Sequence, residues 1–125
     1  MRLLLDTHAV LWWFMDDRRL SRAAGAALDN TANELFVSAV AAYEIAYKQS
    51  LGRLAPLPDE LPRRLHRAGI AVVALSLDHA LAAAALPGPH RDPWDRIMMA
   101  QALAGGLTMV TVDRVFGEYG VPVLW

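Results

Sequence analysis

Apolar positions along the 125 residues gather in blocks of two lengths, separated by polar or Gly/Pro-rich breaks. The short blocks Arg2–Leu5, Leu35–Val37, Ile70–Leu75 and Leu107–Val112 predict strands, with Val121–Leu124 as a candidate fifth. Ile70–Leu75 places apolar residues side by side without alternation, which predicts burial on both faces. The longer blocks predict helices. These are Ala9–Met15, Ser21 to about Leu28, Ala39–Ser50 with its stop near Gly52, a helix capped by Asp59 and ending at Gly69, and an alanine helix capped by Asp78 and ending at Leu86. Pro62 falls in the first turn of the Asp59 helix, where proline is tolerated. Asp16-Asp17-Arg18-Arg19, residues 29–33, Leu54 to Pro58 and Pro87-Gly88-Pro89 are the breaks. Strands alternating with helices predict an α/β fold whose parallel sheet of four to five strands is covered on both sides. Ligands of such sheets bind beyond the carboxyl ends of the strands.

One helix start stands out: His90-Arg91-Asp92-Pro93-Trp94-Asp95-Arg96. Asp92 is a good N-cap, Pro93 suits the first helical position, and Asp95 sits like the acid of a capping box. The helix is then apolar almost all round until Gly105-Gly106. A core helix has no obvious structural need for two carboxylates and two arginines at its mouth.

Size predicts one domain over residues 1–125. At 55% hydrophobic residues, the chain can bury a substantial core. Cysteine is absent, so disulfides and thiolate metal sites are excluded, in keeping with a cytoplasmic location. The apolar stretch of Met1–Leu5 is too short for a signal peptide or a membrane span. The net charge of −1 announces no global nucleic-acid field, yet all basic residues except Lys48 are Arg, the better phosphate binder. The aromatic run Leu11-Trp12-Trp13-Phe14 cannot easily point wholly inward from one helix, so it reads as core, dimer seam or partner surface.

Five acids matter, and each has a plain structural role available. Asp6, just past the first strand, caps the helix starting near Thr7. Glu44, the only charge between Glu34 and Lys48, pairs with Lys48 at i,i+4. Asp92 and Asp95 serve the helix start, and Asp113 serves a turn after the fourth strand. Taken jointly they suggest more. Asp6 and Asp113 both lie at strand ends, and Glu44 is surrounded by apolar residues. Carboxylates meeting in a partly buried cleft repel, and a hard divalent cation removes that cost. Oxygen-only ligands suit Mg²⁺ or Mn²⁺, and the scattered histidines His8, His66, His79 and His90 offer no zinc spacing. Of these, His8 and His90 flank the acids. An all-carboxylate site fits phosphodiester hydrolysis.

Leu4-Leu5-Asp6-Thr7-His8, Val37-Ser38-Ala39-Val40 with Tyr43-Glu44-Ile45 and Lys48, Leu51-Gly52-Arg53-Leu54, the His90–Arg96 stretch through Ala100-Gln101-Ala102, and Val110-Thr111-Val112-Asp113 follow in order. Together they resemble the PIN-domain ribonucleases, specifically VapC-type toxins of bacterial toxin–antitoxin pairs. The resemblance runs nearly the whole chain, to Tyr119–Trp125. It implies a PIN-like three-layer sandwich and a Mg²⁺- or Mn²⁺-dependent endoribonuclease, commonly a homodimer, held in check by a cognate antitoxin. Carried over by position, the catalytic acids are Asp6, Glu44, Asp95 and Asp113. Asp6 and Asp95 are the direct metal ligands, Glu44 and Asp113 act directly or through water, and Thr111 is the supporting hydroxyl. Tyr43 stands where Trp is frequent, Ala41 where Ser is, and Trp94 where Phe is. No acid is lost by these departures.

Other classes fit less well. A haloacid-dehalogenase-type enzyme needs a second Asp where His8 stands, and a receiver module needs a late Lys where the only Lys is Lys48. The alternative within the same fold is a catalytically silent PIN-like interaction scaffold.

Overall fold

The computed structural model describes residues 1–57 and 59–125. Five parallel strands form one sheet in the order β3-β2-β1-β4-β5. They are β1 (Arg2–Leu5), β2 (Glu34–Ser38), β3 (Ile70–Val73), β4 (Thr108–Val110) and β5 (Val123–Leu124). Between and beside them run α1 (Thr7–Phe14), α2 (Arg22–Asp29), α3 (Ala39–Ser50), α4 (Leu61–Arg67), α5 (Leu77–Ala85), α6 (Pro93–Gly105) and α7 (Val115–Glu118). This is the expected α/β architecture, a parallel sheet flanked by helices.

The sheet is centred on β1, whose Leu3, Leu4 and Leu5 are wholly buried. A strand covered on both faces needs no alternation, and this one has none. From β1 the chain builds outward through β2 and β3, then returns to the other side of β1 for β4 and β5. That reversal places the topological switch point between β1 and β4, where the sheet opens a crevice at its carboxyl edge. The register pairs Leu5 with Val110, so Asp6 and Thr111 leave the sheet side by side.

The fold corrects several expectations. β3 is an edge strand with Ala71 and Val72 exposed, not a strand buried on both faces. Its apolar run packs only through Ile70 and, partly, Val73. Asp59 does not cap α4; Glu60 occupies that position without a side-chain bond, and Asp59 instead pairs with Arg67 at 2.7 Å. Asp78 does not cap α5 either. Ser76 does, in a capping box completed by His79, while Asp78 sits in the first turn. The short α7 escaped periodicity because four residues are too few to show a repeat. Of the expected connector Leu54 to Pro58, Pro58 lies outside the described residues.

Other boundaries hold. Asp16 takes the left-handed conformation (φ 50°) beyond α1, and Gly106 does so beyond α6 (φ 61°), where glycine carries no Cβ penalty. The aromatic run is unevenly covered, with Trp12, Trp13 and Phe14 half-buried. Leu11 is buried, Trp12 packs on His8 and Trp125, the Trp13 indole N–H donates to Asp29, and Phe14 lies under Arg64.

Candidate active site

Asp6 is held from two sides at the end of β1. It is the N-cap of α1, with Oδ1 accepting from the Ala9 N–H at 2.7 Å. Its Oδ2 accepts the Thr111 hydroxyl across the β1–β4 crevice. Each oxygen therefore retains acceptor capacity toward the cleft. Burial pushes the Asp6 pKa above 3.8; the bonds from Thr111 and Ala9 and the nearby His8 oppose that shift, while Glu44 adds to it.

Glu44 reaches the same cleft from α3, which starts directly at the end of β2 because Ser38 caps it through the Val40 N–H. One Glu44 oxygen accepts the Thr7 hydroxyl, and the other lies 3.4 Å from Lys48 Nζ. The expected i,i+4 pair and the inward placement thus coexist. Asp95 comes from the first turn of α6. Its carboxylate contacts His90 Nε2 at 2.9 Å and does not close a capping box, for which the sequence made it a candidate. Burial raises its pKa, His90 opposes the rise, and Asp92 and Asp113 reinforce it. Asp113 follows β4. Its N–H donates to Thr111 Oγ1 and its Oδ1 accepts from the Val115 N–H, both at 3.0 Å.

Asp6, Glu44, Asp95 and Asp113 all line one cleft of about 430 Å³, together with Thr7, His8, Asp92, Met98, Val112 and Phe116. Four separate chain segments deliver these acids to a single concavity. Among the described residues, no group of three or more His, Asp or Glu side chains closes on a common point as a ready-made metal cage. The donor set is nevertheless oxygen-rich and mutually repulsive. That is the chemistry of a hard divalent cation.

Asp92 caps α6 by accepting from the Trp94 and Asp95 N–H groups at 2.9 and 3.3 Å, and it also borders the cleft. Two positioning residues were not assigned from sequence. Thr7, which holds Glu44, was visible only as a hydroxyl following Asp6. Arg96 supplies the structural need that the charged helix mouth seemed to lack. Its guanidinium donates to the carbonyls of Ala83, Leu86 and His90, tying the end of α5 and the His90 loop to α6. No spacing rule identifies such an arginine, because its acceptors are backbone atoms brought near by the fold.

The sequence matches the PIN domain family over residues 3–122. It is 34% identical over 116 residues to Ribonuclease VapC22 of Mycobacterium tuberculosis, covering 90% of this chain and 87% of that protein. Among solved structures, the fold is similar to FitAcB from Neisseria gonorrhoeae (TM-score 0.71, 19% identity, covering 98% of this chain and 96% of that one). It is also similar to VapBC2 from Rickettsia felis bound to a promoter DNA fragment (TM-score 0.70, 14% identity, 99% and 98% covered). A toxin–antitoxin complex from Klebsiella pneumoniae is a third (TM-score 0.67, 21% identity, 98% and 96% covered). At these identities the structures speak for the fold alone, whereas the family match and the VapC22 relationship reach the sequence itself. The chain belongs to the PIN-domain family, as a VapC-type member.

Proposed function

We propose that this chain is a toxin of a toxin–antitoxin pair and hydrolyses RNA phosphodiester bonds as a Mg²⁺- or Mn²⁺-dependent endoribonuclease. The observation that carries this reading is the convergence of Asp6, Glu44, Asp95 and Asp113 on the cleft at the switch point of the sheet. Asp6 and Asp95 would hold the metal directly, with Glu44 and Asp113 joining directly or through water. The fit is chemical: the raised Asp6 and Asp95 carboxyls gain a counter-charge, and each keeps free oxygen lone pairs. When bound, the cation supplies an activated water and balances charge on the phosphate oxygens.

The remaining work belongs to the chain. Thr111 fixes the Asp6 carboxylate, Thr7 fixes Glu44, and His90 orients Asp95. Met98, Val112 and Phe116 give the cleft an apolar wall that strengthens electrostatics inside it. The VapC22 relationship supports the RNA substrate. The toxin–antitoxin complex among the structural relatives supports a cognate antitoxin as protein partner, and a homodimer is the assembly the resemblance implies. No described helix is long and apolar enough to cross a membrane, and the proposed site of action is the cytoplasm, where RNA is available.

Co-expression with the neighbouring gene tests the partner: the two products should co-purify by size-exclusion chromatography. A toxic protein that never associates with its neighbour's product counts against the pairing. RNA cleavage by the antitoxin-free protein tests the enzyme.

A further inference from the structure

Beside the acid cleft, α3 and the first turn of α6 expose a row of aromatic rings that the proposed chemistry leaves unused. Tyr43 and Tyr47, one turn apart on α3, stack with ring planes 7° apart and centroids 5.7 Å apart. Trp94 extends the row from α6, 5.7 Å from Tyr43. The three are 55%, 51% and 43% exposed, so the fold draws little burial from them. A shallow cavity of about 320 Å³ runs along the row and also touches Lys48 and Arg53. Lys48 pairs with Glu44; among the described residues Arg53 has no acidic partner. Glu44 lines both this cavity and the acid cleft, so the aromatic row adjoins the cleft across a shared wall.

Exposed rings flanked by cations match the two things single-stranded nucleic acid offers, flat base faces and phosphates. Resting on the RNA-cleaving reading above, we propose that Tyr47, Tyr43 and Trp94 form a stacking platform for unpaired RNA bases flanking the scissile phosphate, with Lys48 and Arg53 on the backbone. A base pair in a duplex hides its faces within the stack, so the platform favours single-stranded segments. Every base has a π-face, so it grips without reading sequence. The cations and the wall shared with the acid cleft favour RNA over an apolar protein segment as the occupant.

The test is binding of a fluorescein-labelled oligoadenylate of about twelve nucleotides to the full chain in EDTA, read by anisotropy, with steady-state cleavage of the same RNA in Mg²⁺. Tyr43→Ala combined with Trp94→Ala should weaken binding about tenfold and raise KM similarly, with a much smaller change in kcat. Tyr43→Phe with Trp94→Phe keeps the rings and should recover most of the affinity. Arg53→Ala should lower the salt dependence of binding by about one in the log–log slope. Thermal melting of each variant establishes that it is folded. Unchanged oligoadenylate affinity in the alanine pair overturns the platform, as does a phenylalanine pair that binds as poorly as the alanine pair. So does an alanine pair that loses only its protein partner. Wild-type protein that binds the RNA but never cuts it would refute the enzymatic reading, while the binding arm still decides the platform.

Discussion

Thr111 donates its hydroxyl to the Asp6 carboxylate across the crevice between two neighbouring parallel strands. Thr111 is wholly buried, and Asp6 is nearly so at 9% exposure. The bond therefore acts where water cannot replace it. Thr111→Val removes the donor and leaves burial to push the Asp6 pKa still higher. The acid limb of the cleavage–pH profile should move to higher pH, and stability at neutral pH should fall by about 1–3 kcal/mol. Thr111→Ser should restore both. A pH–rate series with denaturant unfolding of the variants checks this.

Asp92 and Asp95 open the same helix with different tasks. Asp92 accepts the free N–H groups of the first turn, and Asn caps nearly as well. Asp92→Asn should leave stability and cleavage close to wild type, whereas Asp92→Ala should cost about 1 kcal/mol. Asp95→Asn keeps the shape and the contact to His90 but removes the negative charge proposed to hold the metal. Cleavage should fall by orders of magnitude while the melting temperature in EDTA holds or rises. Loss of activity in Asp92→Asn with its retention in Asp95→Asn would move the metal site by one turn of helix.

Burial raises Asp6 and Asp95 above their ordinary 3.8, so each binds its proton more readily in the folded chain than in the unfolded one. Their contribution to metal-free stability is fully present below the ordinary carboxylate pKa. It is lost as pH rises through the raised values. In EDTA, the wild type should lose melting temperature over that window more steeply than Asp6→Asn with Asp95→Asn. Equal slopes would show that these two carboxyls do not carry the linkage. Metal binding requires the charged carboxylates, so apparent Mg²⁺ affinity should weaken as pH falls.

Arg96 gathers the carbonyls of Ala83, Leu86 and His90 in one planar fork, a task Lys cannot reproduce. Arg96→Met should cost about 1–3 kcal/mol. It should also reduce kcat, because the loop that carries His90 to Asp95 loses its anchor. Denaturant unfolding measures the first effect and steady-state kinetics the second. A variant as stable as wild type contradicts the role.

How much of this was legible in the sequence follows from which signals are local. The buried strand Arg2–Leu5, the Asp92-Pro93 helix start and the Gly106 stop are written in consecutive residues, and the fold keeps them. The grouping of Asp6 with Asp113 followed from strand ends alone. The bonds that hold the acids join residues distant in the chain, Thr7 with Glu44 and Thr111 with Asp6. Hydrophobic pattern cannot show them. Ile70–Leu75 read as buried on both faces because its apolar residues do not alternate, whereas the fold sets β3 at the sheet edge with Ala71 and Val72 exposed. Asp59 and Asp78 resembled caps, but Ser76 with His79 completes a better one beside Asp78, and Arg67 takes Asp59.

The most direct measurement is cleavage of RNA by purified, antitoxin-free protein in Mg²⁺ or Mn²⁺, in EDTA, and in the Asp6→Asn variant with metal. A metal-dependent reaction at Asp6 should give endonucleolytic products only for the wild type with metal. Equal cleavage in EDTA, or full activity in Asp6→Asn, would contradict it.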